Sequence, residues 1–456
     1  MSTKKKHYHF IGVAGIGMSA LAAILLERGN AISGSDLVSN EITEKLRKSG
    51  AKIYKGHEAK HLPDNTDIVV ISGAIPENNP ECIKAMQLNL PILSRGELLG
   101  QIMDRATGIA VAGTHGKTTT ASLIAEIFEK AKKDPTIAIG GEVRNIGSHA
   151  KNGKGKYFIA EACEYKRAFL NIHPKVAVIT NIEADHLDYY KDLDDIKSAF
   201  SDFVNDMDES SLLVACFDDD NVRGIAQGFK GRLVSYGLNK ANYQASIIKI
   251  EDGTQKFKIT KNNTDLGEFE TKIPGIHTIL NITAAVVVAL EHGIKLKTIK
   301  ESVQNFSGAA RRMETRGEKE GVLVIDDYGH HPTEIQATLQ AIKSFYPKRR
   351  LVCVFQPHQH SRTRILLNDF ASALKEADEI IIPRIYAVRD TKEDMESVSG
   401  ETLARLLKKN GKSAKYIPKF SDAVKELKET TKENDIVLTI GAGPVNEVAE
   451  EFLSIC

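Results

Sequence analysis

A glycine-rich turn that also carries a lysine and three threonines lies at residues 113–120, Gly-Thr-His-Gly-Lys-Thr-Thr-Thr. An apolar run typical of a buried strand precedes it, and apolar residues recur at helical spacing after it. Backbone N–H groups in such a turn, together with the positive end of the helix, bind phosphate oxygens. Lys117 would then contact the β- and γ-phosphates, and the Thr118 hydroxyl would ligate Mg²⁺. The segment predicts a nucleoside triphosphate site, although Val111 replaces the first glycine of the usual pattern.

Two further side chains suited to a metal ion lie at the ends of predicted strands. Glu161 and His186 each come at or just after the end of an apolar run of the β type. Because parallel strands end at the same edge of a sheet, we expect both residues beside Lys117 and Thr118. A carboxylate and an imidazole there could hold one or two Mg²⁺ ions for the nucleotide phosphates. Either residue alone could equally be a capped surface residue, but the pair favours a metal site.

A second glycine turn lies near the N-terminus, at residues 15–20 (Gly-Ile-Gly-Met-Ser-Ala), between a predicted strand and an apolar helix. Asp36 ends a second strand about twenty residues on, where a dinucleotide-binding fold has its ribose-binding acid. Such a turn binds an anionic diphosphate at the start of the helix, near Ile16. The residues leave open whether a cofactor such as NAD or a nucleotide-linked substrate carries that diphosphate. Glycines used only for tight packing are a structural alternative.

Polar side chains cluster again in the last third of the chain. Residues 326–332 (Asp-Asp-Tyr-Gly-His-His-Pro) and 356–363 (Gln-Pro-His-Gln-His-Ser-Arg-Thr) each follow a predicted strand, which is typical of a functional site. The pair Arg311-Arg312 before them suits a cationic clamp on a transferring phosphate, with a solvated hinge pair as the alternative. Asn281, at the start of a predicted helix, could contact a base edge or cap that helix.

Composition limits the class of protein. The chain has 456 residues, with 61 basic residues balanced by 60 acidic ones, so no global field indicates nucleic acid or membrane as a partner. No apolar run approaches the roughly 18 residues of a membrane-spanning helix, and the N-terminus leads into a predicted strand and not a signal peptide. The cysteines form no Cys-x-x-Cys pair, which favours reduced, mostly buried thiols in a cytoplasm; they are Cys82, Cys163, Cys216, Cys353 and Cys456.

The alternation of strands and helices predicts an α/β protein of about three domains. We place an N-terminal Rossmann-like domain at residues 1–107, a central P-loop ATPase-type domain with a mixed sheet at 108–313, and a C-terminal Rossmann-like domain at 314–456. Short strands between residues 209 and 270, the first at 212–216, suggest an antiparallel addition to the central sheet. For the C-terminal domain we expect a parallel sheet covered on both faces.

Five of these segments, in order and spacing, resemble the Mur ligases of peptidoglycan synthesis. They are residues 15–19, 113–118, 180–186 (Thr-Asn-Ile-Glu-Ala-Asp-His), 326–332 and 356–363. The resemblance covers nearly the whole chain and is strongest to the alanine-adding branch of the family. In that family the N-terminal domain holds the UDP part of the substrate and no NAD. The resemblance therefore favours a nucleotide-linked substrate at the first glycine turn.

The activity implied by the resemblance is ATP-dependent ligation of L-alanine to the lactyl carboxylate of UDP-N-acetylmuramate. The reaction would pass through an acyl phosphate and give ADP and phosphate, as a step of cell-wall precursor synthesis that supports cell shape and division. ATP, UDP-N-acetylmuramate and L-alanine would be the substrates, Mg²⁺ the metal ion, and a monomer or weak homodimer the form in solution. Since two anions must be brought together, the site needs positive charge.

The resemblance also implies roles for individual residues. Catalytic roles fall to Lys117, His186, Arg312, His330 and His358. Contacts to ATP fall to Gly113, Thr114, His115, Gly116, Lys117, Thr118, Thr119, Asn281, Arg312 and Asp327. Contacts to the UDP part fall to Gly15, Ile16, Gly17, Met18, Ser35, Asp36 and Ser72. The amino acid would meet Tyr328, His358 and Arg362, and the metal ligands would be Thr118, Glu161 and His186.

Three other functions stay open on the sequence. A murein-peptide recycling ligase, which attaches a tripeptide to the same sugar nucleotide, shares these motifs. An NAD-dependent oxidoreductase with an ATP-regulated domain would use the first glycine turn differently. A non-catalytic nucleotide switch would leave the third-domain polar cluster without a task. Departures from the family pattern leave details of the adenine and amino-acid contacts open; they are Thr278, Gln359, His360 and Pro444.

Overall fold

The computed structural model describes residues 5–251, 253–388 and 390–454. The chain divides into two compact units. One comprises Met1–Ser246, Lys258–Phe269 and Leu280–Phe306, and the other comprises Ile247–Phe257, Glu270–Ile279 and Ser307–Cys456. The predicted domain boundaries at 107/108 and 313/314 stay predictions. Within the part of the chain that is described, every helix is too short or too polar to cross a membrane. Cys456, one of the five thiols, lies outside the described residues.

The first sheet of the first unit is a five-stranded parallel sheet in the order β3-β2-β1-β4-β5. This order matches five of the six strands of the dinucleotide-binding fold and confirms the predicted Rossmann-like fold. The strands are β1 (His7–Ile11), β2 (Ala31–Asp36), β3 (Lys52–Lys55), β4 (Ile68–Ile71) and β5 (Ile92–Ser94). The helices are α1 (Ile16–Glu27), α2 (Glu41–Lys48), α3 (Pro80–Gln87) and α4 (Arg95–Met103), with a short 3₁₀ helix at Ala59–His61.

A ten-stranded sheet follows, in the order β15-β14-β13-β12-β11-β10-β6-β9-β7-β8. Its strands are β6 (Thr107–Ala112), β7 (Thr136–Val143), β8 (Ser148–Lys151), β9 (Tyr157–Glu161), β10 (Val176–Ile179), β11 (Leu212–Cys216), β12 (Arg232–Gly237), β13 (Tyr243–Glu251), β14 (Thr254–Lys261) and β15 (Thr264–Thr271). The helices are α5 (Lys117–Lys130), α6 (Leu193–Asn205), α7 (Asp220–Ala226), α8 (Ile276–Glu291) and α9 (Leu296–Asn305), with a 3₁₀ segment at Tyr165–Asn171. From β7 through β9, β6, β10, β11 and β12 to β13, each strand is parallel to the next, whereas β8 runs antiparallel to β7, which confirms a mixed sheet.

Two sequence predictions about this region are wrong. The segment Leu212–Cys216 is not part of an antiparallel addition, because β11 lies parallel between β10 and β12. All five of its residues are buried, as expected of a strand covered by helices on both faces. The helix that carries Asn281 begins five residues earlier, after the left-handed Gly275, so Asn281 does not cap it.

The second unit contains a six-stranded sheet in the order β16-β17-β21-β18-β19-β20. Its strands are β16 (Glu314–Lys319), β17 (Val322–Asp327), β18 (Leu351–Phe355), β19 (Glu379–Ile382), β20 (Ser413–Tyr416) and β21 (Ile436–Ile440). The helices are α10 (Pro332–Phe345), α11 (His360–Ile365), α12 (Leu367–Ala373), α13 (Lys392–Ser397), α14 (Gly400–Lys409), α15 (Phe420–Thr430) and α16 (Asn446–Ser454), with a 3₁₀ turn at Leu374–Glu376. The four predicted strands of this sheet, β17, β21, β18 and β19, are parallel to one another, which confirms the expected parallel sheet. The further edge strand β16 pairs antiparallel with β17.

Candidate active site

The loop between β6 and α5 is fixed by the end of strand β10. The N–H of Thr114 donates to the carbonyl of Asn181 at 2.9 Å, and the N–H of His115 donates to the Asn181 side-chain oxygen at 2.8 Å. The Thr180 hydroxyl donates to the His115 carbonyl at 2.6 Å. These bonds give the predicted phosphate loop one conformation before any ligand arrives.

Gly116 sets the geometry at the start of α5. Its φ of 81° is left-handed, and it is the N-cap residue of the helix. A Cβ atom at this position would lie 2.5 Å from Asn281 Oδ1, so only glycine fits against that side chain. The structure therefore brings the predicted loop and the predicted adenine residue Asn281 together. Thr118 and Thr119 lie in the first turn of α5, where the helix N-terminus favours anions.

Lys117 is held inside the loop by a carboxylate that the sequence did not single out. Its Nζ atom donates to the carbonyls of Gly113 and, at 2.9 Å, of Thr114, and lies 3.0 Å from Glu164 Oε1. Burial alone would lower the pKa of Lys117, but the charge of Glu164 outweighs this and raises it. Burial would raise the pKa of Glu164, but Lys117 and then His186 hold it below its ordinary value. The pair is therefore ionised at neutral pH.

His186 meets the same carboxylate. Its backbone has a left-handed φ of 54°, and its Nε2 atom lies 3.5 Å from Glu164 Oε1. The ring lies 4.9 Å, centroid to centroid, from the ring of Tyr165. Of the predicted catalytic residues, Lys117 and His186 are thus brought together through Glu164. The signal that could have revealed Glu164 is its place three residues after Glu161, just beyond a strand end.

Glu161 is the last residue of β9 and pairs in register with Val111 of β6. Its Oε1 atom accepts a hydrogen bond from the N–H of Gly140 on β7 at 2.6 Å. The carboxylate therefore stands at the edge of the sheet from which the phosphate loop starts, as predicted. A proposed metal role for it is compatible with this contact, because a carboxylate has further lone pairs.

A cavity of about 280 Å³ joins the first glycine turn to Glu161. Its lining includes Gly15, Ile16, Gly17, Met18, Ser72, Arg95, Glu161 and Cys163. Five of these residues were predicted to contact the UDP part of a substrate, and the structure places them around one cavity. Cys163 also lines it, so this thiol is not deeply buried as the other described cysteines are.

Arg95, which sequence reasoning missed, brings a positive charge to this cavity. It is the first residue of α4, directly after the capping Ser94. A Cβ atom at Gly17 would lie 3.1 Å from Arg95 Cδ and Nη1, so Gly17 lets the guanidinium lie against the first turn of α1. A cation beside a helix N-terminus suits an anionic diphosphate.

Ser35 and Asp36 support the glycine turn from behind. The Ser35 carbonyl accepts hydrogen bonds from the N–H groups of Gly12 and Val13, at 2.9 and 3.1 Å. Asp36 Oδ2 accepts from the N–H of Ala14 at 2.9 Å. Both residues thus shape the turn through these bonds. The direct UDP contacts predicted for them stay predictions.

The hairpin formed by β7 and β8 contacts both helix α1 and the Glu161 carboxylate. On β8, His149 Nε2 lies 3.0 Å from the hydroxyl of Ser19 in α1, and that hydroxyl also bonds the Ile16 carbonyl in the first turn. On β7, Gly140 binds Glu161 as described. The β7–β8 hairpin therefore touches both the helix behind the cavity and the carboxylate at the sheet edge.

In the second unit, Arg311 and Arg312 have different surroundings. Arg311 donates to Asp326 Oδ2 at 2.9 Å and to the carbonyls of Gly441 and Gly443, so it braces the loop after β21. The Arg312 guanidinium lies 5.0 Å above the Tyr328 ring. Only Arg312 was predicted to be catalytic, and it is the member of the pair that is not committed to backbone carbonyls among the described residues.

The polar segment after β17 forms a compact cluster. The His330 ring lies 5.8 Å from that of Tyr328 and 6.0 Å from that of His358, so three predicted site residues meet. Asp327 is buried, and its carboxylate accepts hydrogen bonds from the N–H groups of Met313 and Gly329 at 2.7 and 2.8 Å. Burial raises the pKa of Asp327 to about 6 against the opposing charge of Arg312.

Arg362 lies on α11, whose start is held by an acid that the sequence did not reveal. Asp390 accepts from the N–H groups of His360 and Ser361, at 3.0 and 3.2 Å, and from His360 Nδ1 at 3.0 Å. His360, which departs from the family pattern, is thereby tied to the loop before α13.

Three family models match consecutive segments of the chain. The Mur ligase family catalytic domain matches residues 7–107, the Mur ligase middle domain matches 111–289, and the Mur ligase glutamate ligase domain matches 311–443. A UDP-N-acetylmuramate–L-alanine ligase of Caldanaerobacter subterraneus is 46% identical over 453 residues, covering 99% of this chain and 98% of that protein.

Solved structures agree with these matches. The UDP-N-acetylmuramate–alanine ligase of Thermotoga maritima superimposes with a TM-score of 0.85 at 30% identity, covering 98% of each chain. A murein peptide ligase of Psychrobacter arcticus, at 24% identity and a TM-score of 0.74 over 98% of each chain, shares the fold. From the family matches over three consecutive segments and the identity to a relative of nearly equal length, this chain belongs to the Mur ligase family.

Proposed function

We propose that this protein joins L-alanine to the lactyl carboxylate of UDP-N-acetylmuramate, with ATP converted to ADP and phosphate. The observation that carries the proposal is the cavity at the first glycine turn, which is lined by the same Glu161 that ends a strand beside the phosphate loop. A sugar nucleotide in that cavity would have its reacting end near a nucleotide held by Lys117. The names of relatives that are 46% and 30% identical support the same substrate.

The proposed reaction has two steps. The substrate carboxylate attacks the γ-phosphorus of ATP, the bond to the ADP oxygen breaks, and an acyl phosphate forms. The alanine amine then attacks the acyl carbon, loses a proton, and phosphate leaves. A carboxylate does not react with an amine at neutral pH, so the phosphate supplies the leaving group. No hydride is transferred, so the reaction uses no nicotinamide cofactor.

We assign the charge compensation in the first step to Lys117 and Arg312. The Lys117 ammonium is already oriented at the loop by the Gly113 and Thr114 carbonyls. Arg312, packed on Tyr328, offers a planar guanidinium suited to phosphate oxygens. His330, His358, Tyr328 and Arg362 are assigned to the amino acid and the departing phosphate. Asn281 and Asp327 are assigned to ATP, and the first glycine turn with Ser35, Asp36 and Ser72 to the UDP part.

The residues at the loop fit Mg²⁺. Thr118 offers a hydroxyl and Glu161 a carboxylate, which are the oxygen donors that this ion prefers, and His186 completes the proposed set. In addition, Glu164 Oε2 is buried and has no hydrogen-bond partner in the described part of the chain. When bound, the ion would neutralise charge on the phosphates and lower the barrier to attack. We assign residues 1–107 to the sugar nucleotide, 108–313 to ATP and 314–456 to the amino acid.

The test is a panel of phosphate-release assays on the purified protein with ATP, Mg²⁺ and UDP-N-acetylmuramate. L-alanine, glycine, L-serine or the cell-wall tripeptide is added singly, and the product is identified by mass spectrometry. We expect release with L-alanine and none when Mg²⁺ is removed by chelation. Release with the tripeptide but not with L-alanine would establish the recycling reaction instead. Sedimentation of the same sample tests the predicted monomer or weak homodimer.

Two lysine variants on the same helix test whether the phosphate loop is the ATP site. Lys117→Ala should abolish phosphate release and leave the circular dichroism spectrum unchanged. Lys130→Ala removes a lysine at the other end of the same helix, where it lies 3.7 Å from Glu301, and should leave turnover intact. Retained activity of Lys117→Ala would exclude the loop as the ATP site.

A further inference from the structure

Glu164 is a buried carboxylate that touches two proposed catalytic groups at once. Its side chain is 4% exposed, and its Oε1 atom lies 3.0 Å from Lys117 Nζ and 3.5 Å from His186 Nε2. The backbone is fixed as well, because the Tyr190 hydroxyl donates to the Glu164 carbonyl at 2.5 Å. Carboxylate, ammonium and imidazole therefore form one rigid group beside the phosphate loop.

Fold stability gives no reason for a carboxylate at this position. A buried ion pair costs about as much in lost hydration as it gains in attraction, so apolar side chains of similar volume would serve the fold equally well. The second oxygen, Oε2, is buried without a hydrogen-bond partner in the described residues, which is a further cost. A cost of this kind at a phosphate loop indicates a task in binding or catalysis.

We propose that Glu164 is a positioning residue for phosphate transfer, which holds the Lys117 ammonium and the His186 ring in place until nucleotide phosphates replace it as the partner of Lys117. This inference rests on the proposed function. The Lys117 ammonium is held on its other side by the Gly113 and Thr114 carbonyls, so it stays at the loop when the carboxylate is exchanged for phosphate. His186 keeps its contact with Glu164.

Two opposite effects follow for Glu164→Gln. The nucleotide phosphates no longer compete with a carboxylate for Lys117, and the site carries one negative charge fewer. The affinity for nucleotide in metal-free buffer should therefore increase. His186 loses the charged partner that it keeps when nucleotide is bound, so the turnover number should fall, because misplacement of a catalytic group by a fraction of an ångström is costly. A purely structural residue would move neither quantity per folded molecule.

The experiment uses the full chain and measures ADP and ATP binding by calorimetry in metal-free buffer, together with kcat and KM. For Glu164→Gln we expect about tenfold tighter binding, or 1.4 kcal/mol, and a kcat about 30-fold lower, with the KM for L-alanine changed less than twofold. Glu164→Asp retains the charge and should restore nucleotide affinity to within about threefold of the wild type. Glu126→Gln, a half-buried carboxylate on α5, is the control and should match the wild type.

The outcomes separate this inference from the proposed function. Nucleotide affinity equal to or weaker than wild type in a folded Glu164→Gln variant overturns the positioning role, as does a kcat within twofold. A fall in melting temperature with unchanged kcat per folded molecule also overturns it. If the wild type shows no ligation of L-alanine, the proposed substrate fails, but the binding comparison still decides the role of Glu164 because it needs only nucleotide.

Discussion

The Nε2 atom of His9 lies 2.6 Å from the Oε2 atom of Glu81, and neither side chain is exposed to solvent. The second carboxylate oxygen, Oε1, lies 3.2 Å from His57 Nδ1, which in turn lies 2.9 Å from the Ser35 hydroxyl. The Ser35 carbonyl accepts the N–H groups of Gly12 and Val13, which lead into the first glycine turn, so this buried acid stabilises the segment that positions the turn. The network links the core of the first sheet to the cavity.

Replacing Glu81 should therefore destabilise the first unit. Glu81→Gln leaves His9 and His57 without a charged acceptor, and we expect a loss of about 3 kcal/mol, as for other buried pairs broken at one partner. The control is Glu77→Gln, which removes an exposed acid just before the same helix. Chemical denaturation of both variants measures the effect, and equal unfolding midpoints would contradict it.

The same pair gives stability a pH dependence. Burial lowers the pKa of His9 despite its bond to Glu81. Burial would raise the pKa of Glu81, but hydrogen bonds from His9, Ser35 and His57 hold it below its ordinary value. A group whose pKa is lower in the folded state contributes stability that is present at neutral pH and lost on acidification. For His9 this loss begins below the ordinary histidine pKa of about 6.5, and for Glu81 it begins below about 4.5. The difference in unfolding free energy between the wild type and Glu81→Gln should therefore become smaller below about pH 4.5, as measured by acid unfolding.

Gly116→Ala tests whether a side chain at the phosphate loop weakens nucleotide binding by steric contact with Asn281, beyond the backbone strain that alanine causes at a left-handed φ. The substitution places a Cβ 2.5 Å from Asn281 Oδ1 at a left-handed φ of 81°, so nucleotide affinity should fall by at least tenfold. Gly147→Ala introduces a comparable strain at φ 72° but meets no atom within 4 Å, so it should cost about 1–2 kcal/mol in stability without changing affinity. Calorimetric binding of ADP to the two variants checks this. Equal affinities would mean that Asn281 is not at the nucleotide.

Arg95→Ala should weaken the binding of the sugar nucleotide and leave the binding of ATP unchanged. Arg95 lines the cavity beside the first turn of α1, where we place the diphosphate. Loss of one charged hydrogen-bonding partner costs about 2–3 kcal/mol, so the KM for UDP-N-acetylmuramate should rise roughly 30- to 150-fold. Arg105→Ala, at an exposed position beyond α4, provides the control. A KM change for ATP instead of the sugar nucleotide would contradict the assignment.

Asp327 should destabilise the second unit as it ionises. Burial raises its pKa to about 6, so the protonated form is favoured in the folded state, and stability falls as pH rises from about 4 through 6. The full effect above pH 7 is about 3 kcal/mol. The melting temperature of Asp327→Asn should thus rise relative to that of the wild type between about pH 4 and 7. Asp422 is exposed, so the melting temperature of Asp422→Asn should differ from that of the wild type by the same amount at every pH. A pH-independent difference for Asp327→Asn as well would refute the raised pKa.

The three sheets were predictable because most of their strands are continuous apolar runs. Several of the strands that were missed lie at sheet edges and carry polar residues, as β3 (Lys-Ile-Tyr-Lys) and β20 (Ser-Ala-Lys-Tyr) show, although β7 and β12 were missed inside the central sheet. An edge strand has one exposed side, so its sequence does not need to be apolar. The antiparallel β16 was missed for the same reason, since Glu314–Lys319 is almost entirely polar.

The candidate site was predictable where a motif has a local signature. Gly116 and Lys117 are recognisable because the loop, the helix start and the lysine are contiguous in sequence. Glu164 and Arg95 are not, because their importance comes from contacts over distances of 47 and 78 residues, with Lys117 and Gly17 respectively. Only packing shows that the former meets a lysine and the latter a glycine.

The β7–β8 hairpin is a place at which a bound compound would disturb both the cavity and the sheet edge. It contacts Ser19 through His149 and Glu161 through Gly140. A compound wedged between His149 and α1 would shift the hairpin and, with it, the carboxylate at the sheet edge. Because Ile139 and Gly140 of β7 also line the sugar-nucleotide cavity, such a compound would change the shape of that cavity as well. We therefore expect it to weaken the binding of the sugar nucleotide.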